Sequence, residues 1–132
     1  MKHKELTEQI IKAFYTVYNI LGYGFLEKVY ENAMYYELTE MGFSVVRQKG
    51  VTVYYKKYVV GHYNSDLFVE DAVICELKTQ EHIDESNERQ LTNYLKSTHL
   101  EVGLILNFGI KPEVRRKVYD NEKKYWYTIR PA

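Results

Sequence analysis

The feature that most constrains the fold is a change in the spacing of apolar residues at Phe43. Before Phe43, apolar residues recur at steps of three and four, as on the buried stripe of a helix. The sequence Gly22-Tyr23-Gly24 interrupts this pattern, and Gly42 supplies a stop signal at its end. We therefore predict two N-terminal helices, each packed by one face.

From Phe43 onward, branched and aromatic residues dominate short runs between polar breaks, which is typical of β-strands. Four such runs predict a meander over residues 44–49, 51–55, 58–69 and 73–79. A polar stretch follows, in which Asp84 or Ser86 could cap a third helix that ends near Thr98.

The run Val102–Phe108 is almost continuously apolar, as expected for a strand that is covered on both faces and reached through a crossover helix. Beyond Pro112 the signal is weaker and indicates a short helix through Val118 and a last strand over residues 125–129. The element order α-α-β-β-β-β-α-β predicts an α/β fold.

Length and composition fit one domain over residues 1–132, since 45% hydrophobic and 27% charged residues suffice for a core. The single cysteine, Cys75, excludes an internal disulfide and any cysteine-cluster metal site. No apolar run approaches the roughly 20 residues of a membrane span, and the start lacks the apolar stretch of a signal peptide. We expect a cytoplasmic protein with no membrane partner.

The net charge is zero, but its distribution is uneven. Residues 111–130 contain seven basic residues against three acidic residues, so the remainder is acidic. Such a tail could hold a phosphate backbone beside an acidic metal site, although charge runs usually form solvated faces.

The candidate chemistry lies in the segment from Asp66 to Lys78. Residues two apart on a strand share a face, so Glu76 and Lys78 point the same way. A tight turn centred on Asp71 would place Asp66 directly opposite Glu76. Their Cβ atoms would then lie about 4.5 to 5.5 Å apart, where two carboxylates repel unless one is protonated or a cation lies between them.

Two explanations of this trio remain open. Oxygen ligands without cysteine or clustered histidine favour Mg²⁺ or Mn²⁺, and Lys78 could then orient an attacking water or steady charge on a phosphoryl group. Alternatively, Lys78 forms an ordinary cross-strand salt bridge with Glu76 or Asp66.

Two further patterns are unremarkable when each is taken alone. Glu27 and Tyr30 lie three apart in the second helix, as a first-turn acid and a core aromatic often do. Gln90 and Tyr94 lie one turn apart on the helix that follows the Glu76 to Lys78 strand.

In combination, these elements resemble the GxxExxY protein family, a branch of the PD-(D/E)xK nuclease superfamily. The resemblance covers roughly residues 5–119 and is carried by elements in family order: Gly24-x-x-Glu27-x-x-Tyr30, Asp66, Glu76-x-Lys78 and Gln90-x-x-x-Tyr94. The last element is similar to one found in RecB-like and lambda-exonuclease-like members. The resemblance implies a restriction-endonuclease-like core, with a central mixed sheet flanked by helices and one or two Mg²⁺ ions.

The resemblance also implies roles for individual residues. Asp66 and Glu76 would bind the metal, Glu27 would add a ligand from the first core helix, and Lys78 would serve the nucleophilic water. Gln90 and Tyr94 would line the site. Asp66 follows Ser65 rather than proline, a departure that many relatives share.

Other candidate groups are weaker. His62 lies four residues before Asp66 on the predicted strand, but no second histidine stands at ligand spacing. Cys75 alternates away from Glu76 into apolar company, as an inert buried thiol would. The fourteen tyrosines are explained mostly by packing, although an exposed subset could stack on unpaired bases or form a homodimer surface.

Three hypotheses follow for the function. The first is a Mg²⁺- or Mn²⁺-dependent nuclease that hydrolyses phosphodiester bonds, with DNA preferred over RNA. The second is a non-catalytic module on the same fold, which binds nucleic acid or protein through the basic tail and the tyrosines. The third is a purely structural homodimer.

Overall fold

The structure of the protein, a computed structural model, describes residues 2–125. Its elements follow in chain order: α1 Lys4–Leu21, α2 Glu27–Glu40, β1 Val45–Tyr55, β2 Tyr58–Val69, β3 Val73–Lys78, α3 Glu85–Ser97, β4 Val102–Phe108, β5 Pro112–Val118 and a 3₁₀ helix Asn121–Lys123. Among residues 2–125, no helix is both long enough and apolar enough to cross a membrane.

The five strands form one mixed sheet in the order β1-β2-β3-β4-β5. Only β3 and β4 run parallel, and α3 makes the crossover between them. The predicted α/β class, a mixed sheet with helices on both faces, is confirmed.

The two faces of the sheet carry separate apolar clusters. Val73, Cys75 and Leu77 point toward α1 and α2, whereas Ile74 points toward α3. This is the alternation expected for a strand, and Glu76 and Lys78 share the α3 side with Ile74.

Strand β4 is buried along its whole length, which explains its nearly continuous apolar run. Its Gly103 allows α3 to lie close, because a Cβ at this position would come within 2.8 Å of Leu91 Cδ1. The crossover helix is thereby seated directly on the strand beside β3.

The predicted helix boundaries are confirmed. Gly22 and Gly24 adopt positive φ angles after α1, and the Tyr30 hydroxyl donates to Gly22 O at 2.6 Å across the break. Asp84, rather than Ser86, is the N-cap of α3, since it forms a capping box with Asn87.

The meander differs from its prediction in one respect. The two runs predicted at residues 44–49 and 51–55 form a single strand, β1, because the long β2 pairs with both of them. The predicted break at Gly50 is absent, since Gly50 pairs with Asn64; an irregularity lies instead inside the first predicted run, where Gln48 takes a φ of 54° and the ladder omits its pair with Asp66.

The segment after Pro112 also differs from its prediction. The short helix predicted through Val118 is wrong, because β5 pairs with β4 along its full length and completes the ladder of a buried strand. Pro112 is tolerated as the first residue of an edge strand, where its missing N–H is not needed. Of the predicted strand 125–129, all residues except Tyr125 lie outside the described residues.

Candidate active site where strands β2 and β3 separate

The hairpin of β2 and β3 has the predicted register. Val69 pairs with Val73, and Leu67 pairs with Cys75. A tight turn joins the strands, with Glu70 and Asp71 both at positive φ and Ala72 N–H donating to Val69 O. The next pair in this register would be Asp66 and Glu76, and here the regular ladder stops.

Asp66 is fixed by the backbone of the neighbouring strand. Its Oδ2 accepts a hydrogen bond of 2.7 Å from Leu77 N–H, in the place where a ladder bond would otherwise form. Burial raises the pKa of Asp66 above its ordinary value, while the bond from Leu77 opposes the rise. The carboxylate is therefore held in one position but is costly to ionise.

Glu76 lies on β3 and is oriented by an aromatic pair. The Tyr63 hydroxyl donates to Glu76 Oε1, and the Tyr63 ring stacks on Tyr94 with centroids 3.6 Å apart. Gln90 Nε2 in turn donates to the Tyr94 hydroxyl at 3.2 Å. A continuous series of contacts therefore runs from the exposed side of α3 to the carboxylate of Glu76.

The ionisation of Glu76 is the most strongly shifted among the candidate carboxylates. Burial raises the pKa of Glu76 to about 7; the bond from Tyr63 and the charge of Lys78 lower it, and the charges of Asp66 and Glu27 raise it further. Near neutral pH, the protein therefore gains from any cation that compensates this group.

Glu27 brings a third carboxylate from the first turn of α2. Burial and the charge of Asp66 raise its pKa, and Lys78 lowers it. Lys78 is thus the shared cation of the three carboxylates, and it does not match their combined charge.

The chemistry of this donor set suits a hard divalent cation. Carboxylate oxygens that are costly to ionise and repel each other are ligands that suit Mg²⁺ and Mn²⁺. Within the described part of the chain, however, no three His, Cys, Asp or Glu side chains are grouped closely enough to hold a metal ion together. The ligand roles of Glu27, Asp66 and Glu76 therefore stay predictions.

The six predicted site residues all contribute to one region. Glu76, Lys78, Gln90 and Tyr94 line a cleft of about 240 Å³, together with Tyr63 and Asn64. Asp66 and Glu27 interact with this group through charge. Four of the six residues therefore line one cleft, and the other two act on Glu76 through charge without lining it; the roles assigned to all six stay predictions.

Three neighbouring residues were missed by the sequence reasoning. Glu31, 4% exposed, accepts hydrogen bonds from Gln48 Nε2 and Lys28 Nζ, both at 2.7 Å, and its charge raises the pKa of Asp66. Its position one helical turn after Glu27 could have revealed it. Gln48 and Tyr63 gave no such signal, because their contacts depend on the strand irregularity and on α3.

The other candidate groups lie elsewhere. Cys75 is buried on the α1 and α2 side, and burial raises the pKa of its thiol far above the ordinary value. His62 is exposed and lies opposite Thr52 in the β1–β2 ladder. Neither group lines the cleft.

The cations of the C-terminal segment are used mainly inside the fold. Lys117 Nζ lies 2.7 Å from Glu88, and the buried Lys124 donates to Thr98 O and Leu100 O. The expected basic phosphate-binding tail is therefore reduced by internal pairing, and Arg130 lies outside the described residues.

One comparison with known proteins gives a match. A family model described as "PD-(D/E)XK nuclease superfamily" matches residues 4–117 and so includes every candidate site residue. No curated protein and no solved structure matches the chain. The match does not extend to the GxxExxY branch, which stays a prediction.

Proposed function

The chain belongs to the PD-(D/E)XK nuclease superfamily, and from this premise we propose that it is a metal-dependent nuclease that hydrolyses phosphodiester bonds, with DNA preferred over RNA. The family suggests nuclease activity and a nucleic-acid substrate. The preference for DNA over RNA rests on the family resemblance alone.

One observation carries the proposal. Asp66 and Glu76, both with raised pKa values, lie where β2 and β3 separate, and Lys78 is the cation that lowers the pKa of each. Carboxylates that are costly to ionise persist in a fold when a ligand compensates them.

PD-(D/E)XK nucleases are generally dependent on divalent metals. Asp66 and Glu76 would hold Mg²⁺ or Mn²⁺, with Glu27 as a further ligand. When bound, the ion would supply Lewis-acid polarisation of a phosphoryl oxygen and activation of water as the nucleophile.

The chain's own residues have distinct tasks. Lys78 orients the attacking water and stabilises the negative charge that develops on the phosphoryl group. Gln90 and Tyr94 offer an amide and a hydroxyl to the substrate from α3. Tyr63 holds the carboxylate of Glu76 in position as a metal ligand through its hydrogen bond. The Leu77 N–H does the same for Asp66.

The test uses purified protein with MgCl₂ or MnCl₂ and with single- and double-stranded DNA and RNA. We expect cleavage that EDTA stops and that Lys78→Ala abolishes. Lys12→Ala on the exposed side of α1 is the matched control and should cleave normally. No cleavage by the wild type, or equal cleavage by Lys78→Ala, would contradict the proposal.

A metal titration distinguishes the nuclease hypothesis from the hypothesis of a non-catalytic binding module. The nuclease should bind Mn²⁺, and Glu76→Ala should lose that binding while circular dichroism shows an intact fold. Nucleic-acid binding without cleavage and without such Mn²⁺ binding would favour the module.

A further inference from the structure

The hairpin of β1 and β2 extends well beyond the rest of the sheet. We call residues 47–65 the ribbon. Strand β3 pairs with β2 only over residues 67–69, so beyond Arg47, which pairs with Leu67, the ribbon has no third strand beside it. Val51 and Tyr63 pack against the α3 cluster and anchor the ribbon. Beyond them, residues 55–60 are all exposed.

The ribbon is strongly basic in a protein of zero net charge. It contains Arg47, Lys49, Lys56 and Lys57 and no acidic residue. The ribbon lysines form no ion pair with any carboxylate of residues 2–125. Unlike the C-terminal cations, they are therefore available to an anion from outside the chain.

The tip of the ribbon, residues 55–58, pairs each lysine with a tyrosine. Lys56 Nζ lies 5.4 Å from the ring centroid of Tyr55, and Lys57 Nζ lies 5.5 Å from that of Tyr58. The two tyrosines are 54% and 57% exposed. Each side of the turn therefore offers an aromatic ring beside an ammonium group. A single strand of nucleic acid offers the complement, a base that can stack on the ring and a phosphate that can pair with the ammonium group.

We propose that the tip binds single-stranded nucleic acid, with Lys56 and Lys57 contacting phosphates and Tyr55 and Tyr58 stacking on bases. An unpaired strand fits better than a duplex, because the bases of a duplex already stack on each other and offer no face to a tyrosine. A second copy of the ribbon fits poorly, since four like charges would face four others.

The ribbon also connects this surface to the cleft. Tyr63 and Asn64 of the same strand line the cleft, about 20 Å from Tyr58 at about 3.4 Å per residue. A single strand of nucleic acid bound at the tip would therefore extend along β2 toward Asp66 and Glu76. This guiding role rests on the proposed nuclease function, whereas binding at the tip does not.

The experiment measures fluorescence anisotropy of a labelled oligonucleotide, single-stranded or as a duplex, in EDTA so that no metal-dependent cleavage occurs. Tyr55→Ala/Tyr58→Ala should raise the Kd for the single strand about tenfold or more and have little effect on duplex binding. Lys56→Gln/Lys57→Gln should also weaken binding and lower the slope of log K against log salt by about 0.7 per lysine. Lys4→Gln/Lys12→Gln on α1 makes the same change of charge and should bind as the wild type does.

Each result decides the proposal. Equal binding by the ribbon variants and the α1 control would overturn it, and so would a preference for duplex or a lysine effect without a tyrosine effect. The assay is carried out without metal and needs no catalysis, so its outcome does not depend on the proposed hydrolysis. Tip binding by a protein that never cleaves would thus sustain this inference while the proposed function failed.

Discussion

Strand β2 joins two regions that differ in both charge and burial. At its C-terminal end, Asp66 approaches Glu76 and Glu27 in a region where burial raises the pKa of all three. Just before its N-terminal end, Lys56 and Lys57 stand in solvent, and neither forms an ion pair with a carboxylate of residues 2–125. Strand β2 therefore connects three carboxylates, one on each of β2, β3 and α2, with two exposed lysines in the turn that precedes it.

The difference shows what each region requires from outside the chain. Carboxylates whose pKa values are raised by desolvation and by mutual repulsion favour a nearby cation, and Lys78 supplies only part of the compensating charge. Exposed lysines cost little by themselves, so their lack of partners marks an available surface rather than a defect. A nucleic acid with a divalent ion would satisfy both regions together.

Substitutions in the acidic region should have the largest effect on the cleavage rate. Glu76→Gln or Asp66→Asn keeps the shape of the side chain but removes its charge, and we expect the cleavage rate to fall about a thousandfold. Single-turnover cleavage measures the loss, and Glu40→Gln at the exposed end of α2 is the control. An unaltered rate in either site variant would show that the cleft is not the catalytic centre.

The buried acid should also make stability depend on pH. Because the folded-state pKa of Glu76 is raised to about 7, the folded protein retains a proton that the unfolded chain releases near its ordinary value of 4.5. Stability is therefore greatest below the unfolded pKa and falls as pH rises toward and through about 7.

We expect the metal-free protein to lose about 2 kcal/mol of unfolding free energy between pH 5 and 8, since each unit of pKa shift is worth about 1.4 kcal/mol. Urea denaturation across this range measures it. Glu76→Gln should show a smaller decline, and Mn²⁺ should reduce the decline in the wild type. An equal decline in the variant would assign the dependence to other groups.

The ribbon should affect catalysis through substrate binding alone. Lys56→Gln/Lys57→Gln should raise KM about tenfold, as for lost phosphate contacts, and leave kcat nearly unchanged. Steady-state kinetics at several salt concentrations separates the two parameters. A fall in kcat with unchanged KM would instead show that the tip takes part in the chemical step. The proposed division between a catalytic acidic region and a binding ribbon would then be wrong.

The smallest effect is expected from the basic residues that the fold already uses. Lys117→Gln should lower the free energy of unfolding by about 0.5 kcal/mol, because the ion pair with Glu88 is partly exposed. Its nucleic-acid affinity should match that of the wild type. A loss of affinity as large as that of the ribbon variants would show that the C-terminal segment also binds substrate.

Local patterns in the sequence predicted much of this architecture. Helical periodicity located α1, α2 and α3, and one tight turn was enough to set the register that brings Asp66 toward Glu76. These features depend on residues close together in the chain, so a single sequence contains their signal.

Features that depend on distant partners could not be predicted in the same way. The sequence predicts a break at Gly50 because it does not reveal the pairing of β1 with β2, and it predicts a helix at β5 because it does not reveal the pairing with β4. The sequence predicts only packing for Tyr63, since its contacts with Glu76 and Tyr94 exist only once α3 covers the sheet. The ion pairs of the charged residues could not be predicted either, because the number of lysines in a segment does not show which of them lies beside a carboxylate.

The most direct measurement is anomalous diffraction from a crystal of the protein soaked in Mn²⁺. A peak shared by the carboxylates of Asp66 and Glu76, absent from Glu76→Gln crystals, is the predicted result. Full diffraction from well-ordered crystals with no Mn²⁺ at these two side chains would contradict the account, because Lys78 alone would then compensate the carboxylates on which the proposed hydrolysis depends.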